Sequence, residues 1–305
     1  MKTEEAIKIA AEHLGSLGGH RFNLLELSKP DSISAAMNLA KIVSKLSPML
    51  GNLIEFNVVE FLNDVKEFNE FGKWVRQDPG FPDTIFRGKI EPAPGFEIKA
   101  WFPLATEITA RFKDSQNAFK SNQTYVAMLA WLPEKLFFGK PYILDVCVVS
   151  GLSVAIARDE HYHDPPDYLV LEPEDTSKRT SNLRQTNTNG YKWQGTDEQF
   201  MEAKRLVDSW GPEGRRYKPT REYQQLVRQL RDRFPYRPDT NYAKMDRIEQ
   251  GEIETFKKKV LAHPIFGRSI DDWSKLLFSE DDAQIRAELE RRFGIKDQDT
   301  RDILR

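Results

Sequence analysis

The residues of this chain best placed to do chemistry are two acids and a lysine in "PDTIFRGKIEPAPGFEIKAW", from Pro82 to Trp101. Asp83 heads the apolar run "TIF", and Glu97 and Lys99 flank Ile98 in "FEIKAWF". Gly88, Pro92, Pro94 and Gly95 supply turn chemistry between the two runs, which therefore read as neighbouring strands. Side chains alternate along a strand, so Glu97 and Lys99 share a face and Asp83 comes beside Glu97. Two carboxylates held that close repel unless a cation sits between them, and hard oxygen ligands suit Mg²⁺. With a lysine aimed at the same point, the set suits phosphodiester hydrolysis. A metal-bound water attacks, while Lys99 orients or helps deprotonate it and neutralises developing charge. The plainer alternative is an ion pair on an exposed sheet face, worth little energetically.

Pro82-Asp83 followed by Glu97-Ile98-Lys99 resembles the PD-(D/E)xK nuclease signature, best known from type II restriction endonucleases. The resemblance covers about residues 50–150. It implies a mixed β-sheet core flanked by helices, Mg²⁺ as cofactor, and a further Glu on a helix ahead of the first catalytic strand. Glu55 of "GNLIEFNVVEFL" fits that place. On a helical wheel it borders the stripe of Ile54, Val58, Val59, Leu62 and Val65, an odd position for a free carboxylate, whereas Glu60 falls on the polar side. The resemblance thus implies Asp83, Glu97, Lys99 and Glu55 as catalytic residues, with Asp83, Glu97 and Glu55 as metal ligands. It also implies double-stranded DNA cut at a short recognition sequence, and a homodimer, because a palindromic site offers two equivalent half-sites. Repair, junction-resolving and transposon-end nucleases of the same superfamily are the nearest rivals. From a different class, a non-catalytic DNA-binding protein would use the three residues only as an ion-pair cluster.

The elements that must position these residues follow from periodicity. Helical spacing runs through Ala6, Ile9, Ala10 and Leu14, then Ala35 to Leu50, then Asn52 to Phe68. From Asp83 to Leu171, "TIF", "FEIKAWF", "TYVAMLAWL", "PYILDVCVV" and "DYLVLE" read as strands of one mixed sheet. Two helical patterns follow, "DEQFMEAKRLVDSW" and "REYQQLVRQLRDRF", and a charge-alternating helical end. The predicted class is α/β (α+β): a mixed central β-sheet flanked by helices, a restriction-endonuclease-like core with helical N- and C-terminal regions. The predicted nuclease domain spans 1–248, with a helical part to about 72, the catalytic sheet at about 80–172 and a DNA-recognition and helical part at about 173–248. Residues 249–305 form a C-terminal helical subregion.

DNA contacts are expected where cations and amides cluster. Thr176 to Thr196 contains no Asp or Glu but carries Lys178, Arg179, Asn182, Arg184, Gln185, Asn187, Asn189 and Lys192. Arg, Asn and Gln suit base edges, and Lys suits phosphates. "TARFKDSQNAFKSNQ" adds Arg111, Lys113, Gln116, Asn117 and Lys120 close in sequence to Lys99. Arg221, Arg228 and Arg231 share one helical face opposite Tyr223, Leu226, Val227, Leu230 and Phe234, a face that is either simply solvated or tracks phosphates.

Composition narrows the rest. The 305 residues, 39% hydrophobic, suffice for one large domain or two intimate ones, and a net charge of -2 means that any polyanion is met by a local patch. His161, His163, Asp164 and Asp167 in "RDEHYHDPPD" have metal-ligand chemistry, but the segment reads as a solvated connecting loop. No GxxxxGK[ST] or Gly-x-Ser-x-Gly motif is present, against an NTP-driven motor and the commonest serine hydrolase. The single Cys147, inside "YILDVCVV", reads as a buried small hydrophobe, which excludes disulfides and Cys-based zinc sites. The opening "MKTEEAIKIAAEHL" reads as an amphipathic helix rather than a secretion signal, and no apolar stretch is long enough to span a bilayer. A cytoplasmic protein with no membrane partner is expected.

Overall fold

The computed structural model describes residues 1–23, 25–77, 80–104, 116, 119–171, 190–239 and 248–296. Five strands build the main sheet: β1 (Gly72–Arg76), β2 (Thr84–Gly88), β3 (Gly95–Trp101), β4 (Thr124–Pro133) and β5 (Pro141–Ser150). They lie in the order β1-β2-β3-β4-β5, with β3 and β4 parallel and every other pair antiparallel. The sheet is thus mixed, as expected. Nearly every residue of β4 is buried, which is why its run "TYVAMLAWLP" is apolar almost throughout rather than alternating.

Helices α1 (Thr3–Gly15) and α2 (Ile33–Asn63) precede the sheet. Where the sequence suggests two helical runs, the chain forms a single 31-residue helix with Pro48 inside it. An interior proline costs about 3 kcal/mol. Val43, Leu50, Ile54, Val58 and Leu62 nevertheless make one continuous buried face across it. Burial of that face on both sides of Pro48 outweighs the local penalty. Ser32 caps the helix by accepting from the Ala35 amide.

Two expectations are corrected. "DYLVLE" does not join the main sheet. Its strand β6 (Tyr168–Val170) pairs with β7 (Gly190–Trp193), which pairs with β8 (Tyr236–Asp239), forming a separate three-stranded sheet. A short apolar run marks a strand but does not choose its partner. Nor is "RDEHYHDPPD" a solvated loop. Arg158 to Tyr162 complete helix α3 (Gly151–Tyr162), and Arg158, Asp159 and His163 are buried. Arg158 closes a buried ion pair on Asp159 at 2.7 Å, so the charges that suggest solvent are satisfied inside.

Helices α4 (Asp197–Asp208) and α5 (Arg221–Arg233) cover the small sheet around a second core of Leu169, Val207, Tyr223, Val227 and Leu230. The chain then returns to the main core through α6 (Gly251–Leu261), the short strands β9 (Pro264–Ile265) and β10 (Arg268–Ser269), α7 (Ile270–Leu277) and α8 (Asp282–Phe293). There Phe256 packs on Trp101 of β3, with ring centroids 5.9 Å apart. Among the described residues, no helix is long and apolar enough to cross a membrane.

Candidate active site

Asp83 stands one residue before β2, where β2 and β3 part. The two strands pair only at Thr84 opposite Phe96 and Ile85 opposite Gly95. One step further, where Asp83 would lie opposite Glu97, the backbone ladder stops. In its place the Ile98 amide donates to Asp83 Oδ2 at 2.7 Å. The carboxylate thus supplies the acceptor that an unpaired strand amide needs.

The approach of Asp83 is fixed from both sides. Gln77 donates its backbone amide to Asp83 O at 2.7 Å and its side-chain amide to Pro82 O at 2.9 Å. Across the strand gap, a Cβ on Gly95 would lie 2.5 Å from Pro82 Cγ and 3.0 Å from Thr84 O. Only glycine lets Pro82 lie this close to β3. Phe81 meets Phe119 edge-to-face with ring centroids 5.0 Å apart, tying the segment before Asp83 to the chain around Lys120.

Alternation along β3 brings Glu97 and Lys99 together as expected. Lys99 Nζ donates to Glu97 Oε1 at 2.6 Å, to Ile98 O at 3.2 Å and to Asp83 Oδ2 at 3.4 Å. Three oxygens therefore converge on one cation. Glu97 is only 6% exposed, and its second oxygen, Oε2, is buried with no hydrogen-bond partner. Burial pushes the Glu97 carboxyl up, against the pull of Lys99. Burial by itself would lower Lys99, but Glu97 and Asp83 hold its ammonium above the usual lysine range.

Glu55 lies beside this cluster rather than within it. Gly51, one turn earlier on α2, faces β3, its Cβ position 3.6 Å from Ala100 Cβ. Ile54, Val58 and Leu62 are fully buried, and Glu55 sits at the border of that stripe with a side chain 19% exposed. Its nearest charge partner is the Arg76 guanidinium, 3.7 Å from Oε2. Burial, then the negative charge of Asp83, pushes the Glu55 carboxyl up to about 7.

Sequence reasoning assigned no role to Arg76. It ends β1, with its Cα opposite that of Thr84, next to Asp83. Asn63 at the end of α2 exchanges two hydrogen bonds with Trp74, at 2.8 Å and 3.0 Å, and so holds this edge strand in place. The alternation in "GKWVR" could have shown a strand, although not its place beside β2.

Among the described residues, no group of three or more His, Cys, Asp or Glu side chains could hold a metal ion by itself. A cation here would meet two carboxylates, Asp83 and Glu97, together with the Ile98 carbonyl. That donor set suits Mg²⁺, which binds through one or two carboxylates and keeps several waters. The unpartnered buried oxygen of Glu97 is the group such a cation would satisfy.

The other sequence-level candidates divide. Arg111, Lys113, Asn117, Lys178, Arg179, Asn182, Arg184, Gln185, Asn187 and Asn189 lie outside the described residues. Gln116 donates its side-chain amide to buried Asp159 at 2.9 Å. Lys120 and Lys192 are exposed. On α5, Tyr223, Val227 and Leu230 are buried and Arg221 is exposed, as the amphipathic pattern predicts, while Arg231 lies over the Tyr191 ring at 5.6 Å. Cys147, expected to be buried, is half-buried on β5, and burial with nearby Glu252 and Asp145 pushes its thiol up to about 11.

Among the described residues, His163 belongs to no group of three or more His, Cys, Asp or Glu side chains that could hold a metal ion. Tyr223 gives its one hydroxyl proton to Gly214 O at 2.7 Å, so at 2.6 Å His163 Nε2 must be the donor to the Tyr223 oxygen. Burial pushes the imidazole down to about 3, and the ring is neutral.

The chain matches no family model, no curated protein and no solved structure.

Proposed function

We propose that this protein is a Mg²⁺-dependent endonuclease that hydrolyses phosphodiester bonds of double-stranded DNA at a short recognition sequence, as type II restriction enzymes do. It acts in the cytoplasm and as a homodimer. The observation that carries the reading is the convergence of Glu97, Asp83 and the Ile98 carbonyl on one point, with a buried Glu97 oxygen left unpartnered.

Asp83 and Glu97 would hold the Mg²⁺ ion, with Glu55 in support. When bound, the ion supplies an acidified water and offsets charge on the phosphate. Asp83 is oriented by the Ile98 amide and the Gln77 contacts, so it meets its ligand without rearrangement. Lys99, held as an ammonium by Glu97 and Asp83, serves as a hydrogen-bond donor and positive charge at the reacting phosphate rather than as a base. Glu97 keeps that ammonium in place at 2.6 Å.

A second reading has one observation behind it. The same lysine already bridges both carboxylates, as it would in a non-catalytic ion-pair cluster. Incubation of the purified protein with unmethylated phage DNA, with Mg²⁺ or with EDTA, separates the two. Discrete fragments that vanish with EDTA are the expected result, a metal-dependent smear indicates a nuclease without sequence choice, and intact DNA across several substrates supports the binding protein.

A further inference from the structure

We propose that α2 is the contact between two copies of this chain, joined antiparallel along a stripe of apolar side chains that the fold leaves uncovered. The inference rests on the homodimer of the reading above and supplies its surface. Among the described residues, five large apolar side chains are exposed, and three of them lie on α2: Ile42, Met49 and Phe56, at 46%, 50% and 51%. They are seven residues apart. Leu39, Leu46 and Leu53, each three residues earlier, are half-buried against the core. The six therefore follow one another in steps of three and four, the spacing of the two inward positions of a heptad. By helix geometry the stripe lies about a third of a turn from the buried face of Val43, Leu50, Ile54 and Val58. Glu55 lies on the other flank of that face, so a partner on the stripe leaves the Asp83 and Glu97 side of the helix open.

The period of the stripe decides what fits it. Apolar positions repeating every 3.5 residues present knobs to a second helix of the same repeat. The stripe is also complementary to itself. In an antiparallel pair the first inward position of one helix meets the second inward position of the other, and here one register matches every member. Leu39 meets the partner's Phe56, Ile42 the partner's Leu53, and Leu46 the partner's Met49, each pair occurring twice about a two-fold axis. Charge selects the same arrangement. Exposed Glu60 continues the stripe seven residues beyond Leu53. A parallel pair in register sets it against a second Glu60, whereas the antiparallel register sets it against the partner's Ala35. Exposed Lys45, at the edge of the stripe, comes beside the partner's Asn52 rather than a second cation. The helix is already folded on its own core, so association does not have to order it.

The test is sedimentation equilibrium of wild type, Met49→Glu, Phe56→Ala and Met201→Glu, the last an exposed apolar position on α4 outside the stripe. Wild type is expected at twice the chain mass. Met49→Glu should raise the dimer dissociation constant by about tenfold or more, because it brings a charge into the seam. Phe56→Ala should raise it by less, and Met201→Glu should leave it unchanged. Phe56→Ala carries the test if Met49→Glu does not fold. Oxidation with copper phenanthroline reads the register. Ile42→Cys/Leu53→Cys should join two chains, since positions 42 and 53 lie too far apart on one helix to bridge within it. Ile42→Cys alone should stay at the background set by wild type with its Cys147, because only a parallel pair sets residue 42 against itself. A monomeric wild type that cleaves DNA overturns this inference and leaves the hydrolysis standing. A dimer that Met49→Glu and Phe56→Ala leave intact, or cross-linking by Ile42→Cys alone as strong as by the double variant, overturns it as well. A dimer broken by Met49→Glu, whose wild type cuts no DNA, supports this contact and overturns the nuclease reading alone.

Discussion

The Ile98 amide donates to Asp83 Oδ2 at 2.7 Å, and this bond takes the place of the ladder hydrogen bond where β2 and β3 separate. It puts the first carboxylate beside the second, whose backbone is held in register with β4, Glu97 opposite Val126. Asp83→Asn retains an acceptor for that amide and removes one negative charge, so its melting temperature should stay near wild type while cleavage is lost. Asp83→Ala leaves the amide without its partner and should cost a further 1–3 kcal/mol or so of stability. Thermal melts read beside a cleavage assay check both statements.

Lys99 stands between two carboxylates, one of them buried. Lys99→Ala should destabilise the protein in EDTA by on the order of 3 kcal/mol, because it leaves Glu97 buried and unpaired. Mg²⁺ should recover part of the loss, since binding to the folded state alone stabilises it. The rise in melting temperature on adding Mg²⁺ is expected to be larger for Lys99→Ala than for wild type, and absent for Glu97→Gln. Equal shifts in all three would show that Glu97 holds no cation.

The legible part of this site is the part set by local rules. Period-two alternation over three residues aligns Glu97 with Lys99, and a Gly- and Pro-rich connection brings Asp83 to them. Glu55 was legible as an anomaly on an apolar stripe, but its partner was not, because Arg76 meets it only through the order of strands in the sheet. The same limit explains β6, whose apolar run marks a strand while its partner strand begins at Gly190. It explains α3 too. Arg158, Asp159 and His163 look solvated in sequence, but Arg158 and Asp159 pair with each other and His163 Nε2 meets Tyr223, 60 residues further on.

His163 should make the protein acid-sensitive. Its imidazole is held down at about 3 by burial, while an unfolded chain protonates it near the usual 6.5. Between those values the unfolded state binds the extra proton, so stability falls as pH drops below 6.5 toward 3. His163→Gln should flatten the dependence of melting temperature on pH between 7 and 5, at the cost of weaker packing against Tyr223. An unchanged slope would contradict the neutral, buried ring.

The acid-free stretch carries a separate prediction. Replacing Arg179 and Arg184 together by Ala should reduce the salt slope of DNA binding by about 2 if both meet phosphates. If instead either reads a base, discrimination between DNA sequences should relax by about 1–3 kcal/mol with less change in slope. A salt series with two duplexes of different sequence separates these outcomes.

The most direct test of the central claim is the rate at which supercoiled plasmid is converted to nicked and linear DNA by wild type and Glu97→Gln, each with Mg²⁺ and with EDTA. If Glu97, Asp83 and Lys99 form a metal-dependent nuclease centre, wild type cuts only with Mg²⁺, and the folded Glu97→Gln variant is slower by about a hundredfold or more. Cleavage by Glu97→Gln at the wild-type rate, or by wild type in EDTA, would contradict it.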